Sequence, residues 1–120
     1  MNKPINGRNG KNRMTYPQLD ELALLHSHIC QALGDPRRIQ ILYALHEQPR
    51  HVTALADALG IPQPTVSRHL RVLRQRALVT TERDGPAVVY ALADDRMIHV
   101  LDEMRSVLRD VLARQTEILA

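Results

Sequence analysis

With 120 residues, a net charge of +3 and a single cysteine, the chain is the size of one domain, has no internal disulfide framework and fits a reducing compartment. Apolar residues make up 44% of it, yet its aromatic residues are three tyrosines, so a core of Leu, Ile, Val and Ala is expected, which suits packed helices better than a β-sandwich. No apolar run approaches the ~20 residues that span a bilayer, and no hydrophobic stretch opens the chain. The expectation is a soluble cytoplasmic protein that does not engage a membrane.

Residues 1–15 hold Lys3, Arg8, Lys11 and Arg13 with no acid. They read as a disordered basic arm, or as an upstream extension before Met14. The folded domain is expected over 16–120. Pro17 suits a first helical position, and Leu19, Leu22, Leu25, Ile29 and Leu33 recur at three- and four-residue spacing, predicting a first helix that runs to about Gly34. Asp35 then offers an N-cap and Pro36 a first residue for a second helix, lined by Ile39, Leu42 and Leu45 and stopped by Pro49.

A third helix over 52–59 stops at Gly60. A fourth begins at Pro64, with Gln63 near its N-cap and Val66, Leu70 and Leu73 on its inner face. The fourth carries Arg68, Arg71, Arg74 and Arg76, and no acid lies between 63 and 79. Two short helices across a tight turn, the second basic, form the pattern of a helix-turn-helix that lays its second helix in the major groove of DNA.

The runs 78–83 and 87–92 are β-rich and flank Asp84-Gly85-Pro86, predicting a hairpin with a loop slightly longer than two residues. In 94–118, Met97, Leu101, Met104, Leu108, Val111, Gln115 and Ile118 alternate in gaps of four and three, the seam of a coiled coil. Val100, Val107 and Leu112 widen the apolar surface. Such a helix is expected both to cover its own core and to pair with a second copy.

Three motifs in order, Ala32-Leu33-Gly34-Asp35-Pro36-Arg37-Arg38-Ile39-Gln40-Ile41-Leu42, Gln63-Pro64-Thr65-Val66-Ser67-Arg68-His69-Leu70-Arg71-Val72-Leu73 and the stretch from Arg83 to Tyr90, give the chain its family likeness. Over roughly 17–118 it resembles the ArsR/SmtB family of bacterial winged-helix repressors. The resemblance implies a mainly α winged helix-turn-helix with a small β-hairpin wing, dimerising through its first and last helices. It also implies a homodimer that represses an inverted-repeat operator until a small inducer binds. At the wing, Pro86 stands where the family often has a second arginine, leaving Arg83 as the wing contact.

Gln63, Thr65, Ser67, Arg68, His69, Arg71, Arg74 and Arg83 are the candidate DNA contacts. Short polar and amide side chains read base edges, and arginines take guanine or phosphate. The alternatives are a solvated helix face that caps its own N-terminus, with His69 packed against the third helix, or a winged-helix module for protein–protein contact. Leu22, Ile29, Leu101, Met104, Leu108 and Val111 are the candidate dimer contacts.

The sensing site departs from the family. Metal-responsive relatives carry Cys-x-Cys where this chain has His51 and Thr53. Zinc-responsive ones carry Asp-x-His and His-x-x-Glu where it has Asp94-x-Arg96 and Val107-x-x-Asp110. No cofactor, resident metal site or enzymatic constellation is expected. What remains is Cys30 with His26, four residues apart on one face, a candidate for a thiol-reactive or metal inducer with His99 of a second copy as a further ligand. The plainer reading makes Cys30 a small buried apolar residue.

Overall fold

The computed structural model describes residues 15–119, so the arm expected at 1–15 lies outside the described residues except for Thr15. The chain forms two compact units divided between Gly34 and Asp35. The backbone there leaves helical geometry, with Asp35 extended at φ −128° and ψ 124°.

The first unit holds α1 (Leu19–Leu25), followed directly by a π-helical turn over His26–Cys30. The helix starts two residues after Pro17, and its α-helical part ends well short of Gly34. The Gln31 N–H donates to the His26 carbonyl at 2.9 Å, a five-residue step that widens the helix. That wide turn moves Ile29 and Leu33 out of the 3.6-residue register. None of the α1 residues is buried, and Leu19, Leu22, Leu24 and Leu25 are 40–80% exposed.

The second unit begins with α2 (Pro36–Glu47). Asp35 Oδ1 accepts the Arg37 N–H at 2.8 Å, and Pro36 fills the first position, which needs no donor. Ile41, Leu42 and Leu45 are buried, whereas Ile39 is only half-buried. Then come β1 (Arg50–His51), α3 (Val52–Leu59), α4 (Gln63–Gln75), β2 (Val79–Asp84), β3 (Ala87–Leu92) and α5 (Arg96–Leu119). Helix α4 starts one residue earlier than expected, because Pro62 caps it and Pro64 is tolerated within the first turn.

The wing is a three-stranded antiparallel sheet in the order β1-β3-β2 rather than a bare hairpin. Asp84 pairs with Ala87, so the loop is the two residues Gly85-Pro86, tighter than expected. Gly85 has φ 64°. A left-handed glycine followed by a proline fixed near −65° is a type II′ turn, whose twist matches the strands.

The core of this unit joins Ile41, Leu42 and Leu45 to Leu55, Ile61, Val66, Leu70, Leu73, Val79, Ile98 and Leu101, each at most 5% exposed. Fully burying each such side chain contributes about 1.5–3 kcal/mol. Their number on α4 settles which face of that helix turns inward. Tyr43 of α2 adds a polar tie to α5: its hydroxyl donates to Asp102 Oδ1 at 2.6 Å, and the Arg105 guanidinium lies 5.3 Å from its ring centre.

Helix α4 ends on a left-handed residue that is not glycine. Ala77 has φ 62°, with its N–H donating to the Arg74 carbonyl and the Leu78 N–H to that of Leu73. This is a Schellman turn with alanine at the glycine position. Ala77→Gly is expected to raise stability by roughly 0.5–1 kcal/mol, the relief of left-handed strain outweighing the extra freedom of the unfolded chain. Urea denaturation checks it, and a lower midpoint would mean that the alanine methyl makes a compensating contact.

Candidate nucleic-acid interface

Helix α3 closes on Gly60, left-handed at φ 66°, with the Ile61 N–H donating to the Ala56 carbonyl and the Gly60 N–H to that of Asp57. The same Schellman geometry packs buried Ile61 behind the turn and aims the chain into α4. Val66, His69, Leu70 and Leu73 turn inward from α4. At 100° per residue, Pro64, Ser67, Arg68, Arg71 and Gln75 therefore face outward, with Gln63 and Arg74 at one edge and Thr65 at the other.

Arg68, Arg71 and Arg74 are exposed, and none of them forms an ion pair among the described residues. Three arginines on other elements, by contrast, are matched locally: Arg50 with Glu47, Arg96 with Asp94 and Arg105 with Asp102. The outer face of α4 thus concentrates positive charge that no acidic side chain among the described residues pairs with, and a polyanion would.

The structure removes His69 from that face. It is 7% exposed, with its ring turned toward Asp35 and Arg38 at the start of α2. The inner face spans 66, 69, 70 and 73, and residue 69 falls within it by its spacing from Val66 and Leu73. Gln63, Thr65, Ser67 and the three arginines remain accessible or half-buried.

Arg83 is exposed on β2, between exposed Glu82 and Asp84. The wing tip is therefore less basic than α4. Strand β1, missed in the sequence, fixes this wing to the helices: Arg50 pairs with Tyr90 and His51 with Val89. His51 Nδ1 donates to the Val88 carbonyl at 3.2 Å and Nε2 lies 3.4 Å from Asp84 Oδ2. A two-residue strand between Pro49 and a helix start carries no periodic signal in sequence.

Of the expected dimer contacts, Leu101 is 2% exposed and, with Ile98, belongs to the core of its own chain. The first turns of α5 lie on the domain, and Arg105 still reaches Tyr43 of α2. Val100, Met104, Val107, Leu108 and Leu112 are 50–57% exposed and Val111 is half-buried. Val100, Met104, Val107, Leu108 and Val111 line one shallow apolar groove edged by His99 and Glu103.

Cys30 and His26 are both exposed at the ends of the π-helical turn; Cys30 is not the buried apolar residue of the plainer reading. Among the described residues no three His, Cys, Asp or Glu side chains converge as metal ligands. At the start of α5, Asp94 is engaged by Arg96, which donates through its backbone N–H at 2.9 Å and its guanidinium at 2.7 Å. These hydrogen bonds hold the Asp94 carboxyl at a pKa of about 2.

A basic helix behind a glycine-closed turn, buttressed by a β-wing, defines a winged helix-turn-helix DNA-binding protein. Residues 35–81 match the family described as bacterial regulatory protein, arsR family. The chain is 41% identical over 97 residues to the HTH-type transcriptional regulator NmtR of Mycobacterium tuberculosis, covering 81% of each protein. It overlays the solution structure of apo-NmtR with a TM-score of 0.60 over 82% of both chains. The HTH-type transcriptional repressor SmtB of M. tuberculosis is 45% identical over 73 residues, 61% of this chain, and the match spans about half (54%) of that relative's own length. The homodimeric winged helix-turn-helix DNA-binding domain of Mb0332 from Mycobacterium bovis, described as a possible ArsR-family regulator, overlays with a TM-score of 0.68. It is 29% identical, and the overlay covers 84% of this chain and 95% of that one.

The chain belongs to the ArsR family and is a DNA-binding transcriptional regulator. No helix among the described residues is long and apolar enough to cross a membrane.

Proposed function

We propose that this protein is a repressor that binds an inverted-repeat operator as a homodimer and is released by a small inducer. The outward face of α4, basic and without local counter-charges, carries the reading. Gln63, Thr65 and Ser67 supply base-edge contacts, Arg68 and Arg71 contact guanine or phosphate, and Arg74 and Arg83 add backbone contacts. The exposed leucines of α1 with Ile29 of the π-helical turn, and the apolar face of α5, each offer surface for a second copy. The homodimeric M. bovis relative supports that assembly.

The inducer does not act through the family's thiolate or histidine positions, since Thr53, Arg96 and Val107 supply no ligand there. Any thiol-reactive or thiolate-bound inducer acts at Cys30, the only cysteine in the chain, with His26 as its neighbour. Its binding would favour the form in which the two recognition helices no longer match the half-site spacing. Titrating zinc, arsenite and an oxidised thiol into operator complexes of the wild type and Cys30→Ser tests this. The expected result is that whatever releases the wild type leaves Cys30→Ser bound; metal-driven release that persists in Cys30→Ser would refute it.

A further inference from the structure

His69 lies on the DNA-reading helix, between Arg68 and Leu70, yet it is the one buried polar side chain among the described residues. Its Nδ1 is 3.4 Å from Arg38 Nη1 and its Nε2 is 4.0 Å from Asp35 Oδ2. A guanidinium can only donate, so Nδ1 accepts and the ring proton sits on Nε2, toward the carboxylate. Asp35 meanwhile caps α2 through its other oxygen, at 2.8 Å from the Arg37 nitrogen. One imidazole therefore links the first turn of α2 to the helix whose opposite face carries Arg68 and Arg71.

Apolar contacts at Val66, Leu70 and Leu73 determine that α4 is buried on this side, but they are not directional. A helix surface lies about 5–6 Å from its axis, so a rotation of roughly 20° moves a side chain by about 2 Å, enough to break a bidentate base contact. Hydrogen bonds resist such a rotation because their energy depends on angle.

We propose that His69 is a positioning residue for operator recognition, its contacts with Arg38 and Asp35 setting the rotation of α4 so that Ser67, Arg68 and Arg71 meet bases and phosphates together. This rests on the DNA-binding reading above.

The linkage also makes recognition sensitive to acid. Burial lowers the pKa of the His69 ring below the ordinary histidine value; Asp35 opposes this, and the charges of Arg38, Arg68 and Arg37 reinforce it. These charged groups surround it on α2 and on α4 itself. The fold stabilises its neutral form, a contribution fully present above pH ~6.5 and lost as pH falls through the lowered folded value. Protonation places a hydrogen on Nδ1, which then no longer accepts from Arg38.

The test measures binding to an operator duplex and to a scrambled duplex by fluorescence anisotropy. His69→Leu keeps volume and removes both polar contacts, while His69→Gln keeps an acceptor and a donor that do not titrate. His69→Leu is expected to lose about tenfold in operator affinity, with scrambled-duplex affinity and salt slope unchanged. His69→Gln is expected to stay within about threefold of the wild type and, unlike it, to hold its operator affinity as pH is lowered from about 7.5 through and below 6.5 to the acid limit of folding. Arg38→Met is expected to match His69→Leu, and the double variant to lose no more than either alone. Equal losses on both duplexes, wild-type affinity in His69→Leu, or the same acid loss in His69→Gln as in the wild type would overturn the proposal. A wild type that fails to distinguish the two duplexes would overturn the DNA-binding reading itself, and this inference with it.

Discussion

Replacing Arg68 and Arg71 together with alanine is expected to weaken operator binding by on the order of a hundredfold and to flatten its salt dependence. Both side chains are exposed on the outer face of α4 and neither has an ion-pair partner among the described residues, so their removal leaves no buried charge and costs the fold little. Each lost phosphate contact takes about 0.9 from the slope of log affinity against log salt, so two take about 1.8. If one of them grips guanine instead, the slope falls by about half as much and discrimination at one operator position drops by about 1–3 kcal/mol. Titrations at several salt concentrations separate the cases. An unchanged slope and affinity would place the DNA surface elsewhere.

Leu108→Glu is expected to convert a two-fold dimer into folded monomers. Leu108 is 53% exposed in the single chain, so a carboxylate there stays solvated in a monomer and leaves the core of Ile98 and Leu101 intact. In a dimer the same carboxylate would be desolvated within an apolar interface, which costs several kcal/mol. Two tethered half-site contacts would become two independent ones, and operator affinity is expected to fall by about 10²-fold or more. Sedimentation at micromolar concentration reads the assembly directly, with circular dichroism to confirm that the variant folds. A wild type that sediments as a monomer would remove the assembly proposal.

The two outcomes rest on different kinds of legibility. Arg68 and Arg71 stand out in the sequence because helical spacing from Val66, Leu70 and Leu73 places them on the opposite face. His69 was misplaced there for a simple reason: a polar residue is read as exposed unless its partners are known, and Asp35 and Arg38 lie more than thirty positions away. Leu101 was misassigned in the opposite direction. The 3-4 spacing along α5 marks one apolar stripe but does not say where the supporting domain ends, and only packing against α2 divides it between Leu101 inside and Met104 outside.

Local chemistry alone determined the order of the helices and the helix-turn-helix. Asp35-Pro36 starts a helix, Gly60 stops one, and the basic run from 63 to 76 declares its partner, because caps, left-handed glycines and charge act within a few residues of themselves. What only the tertiary structure decided depends on atoms distant in sequence or on strain that a neighbourhood must hold in place. Strand β1 exists because β3 offers Tyr90 and Val89 to Arg50 and His51. The left-handed turn at Ala77 is one that alanine does not choose for itself, and the packing of Leu73 on one side and Val79 on the other holds it there. The π-helical turn before Gln31 carries no signature in the helical period, so the direction of Cys30 and His26 could not be read from their spacing.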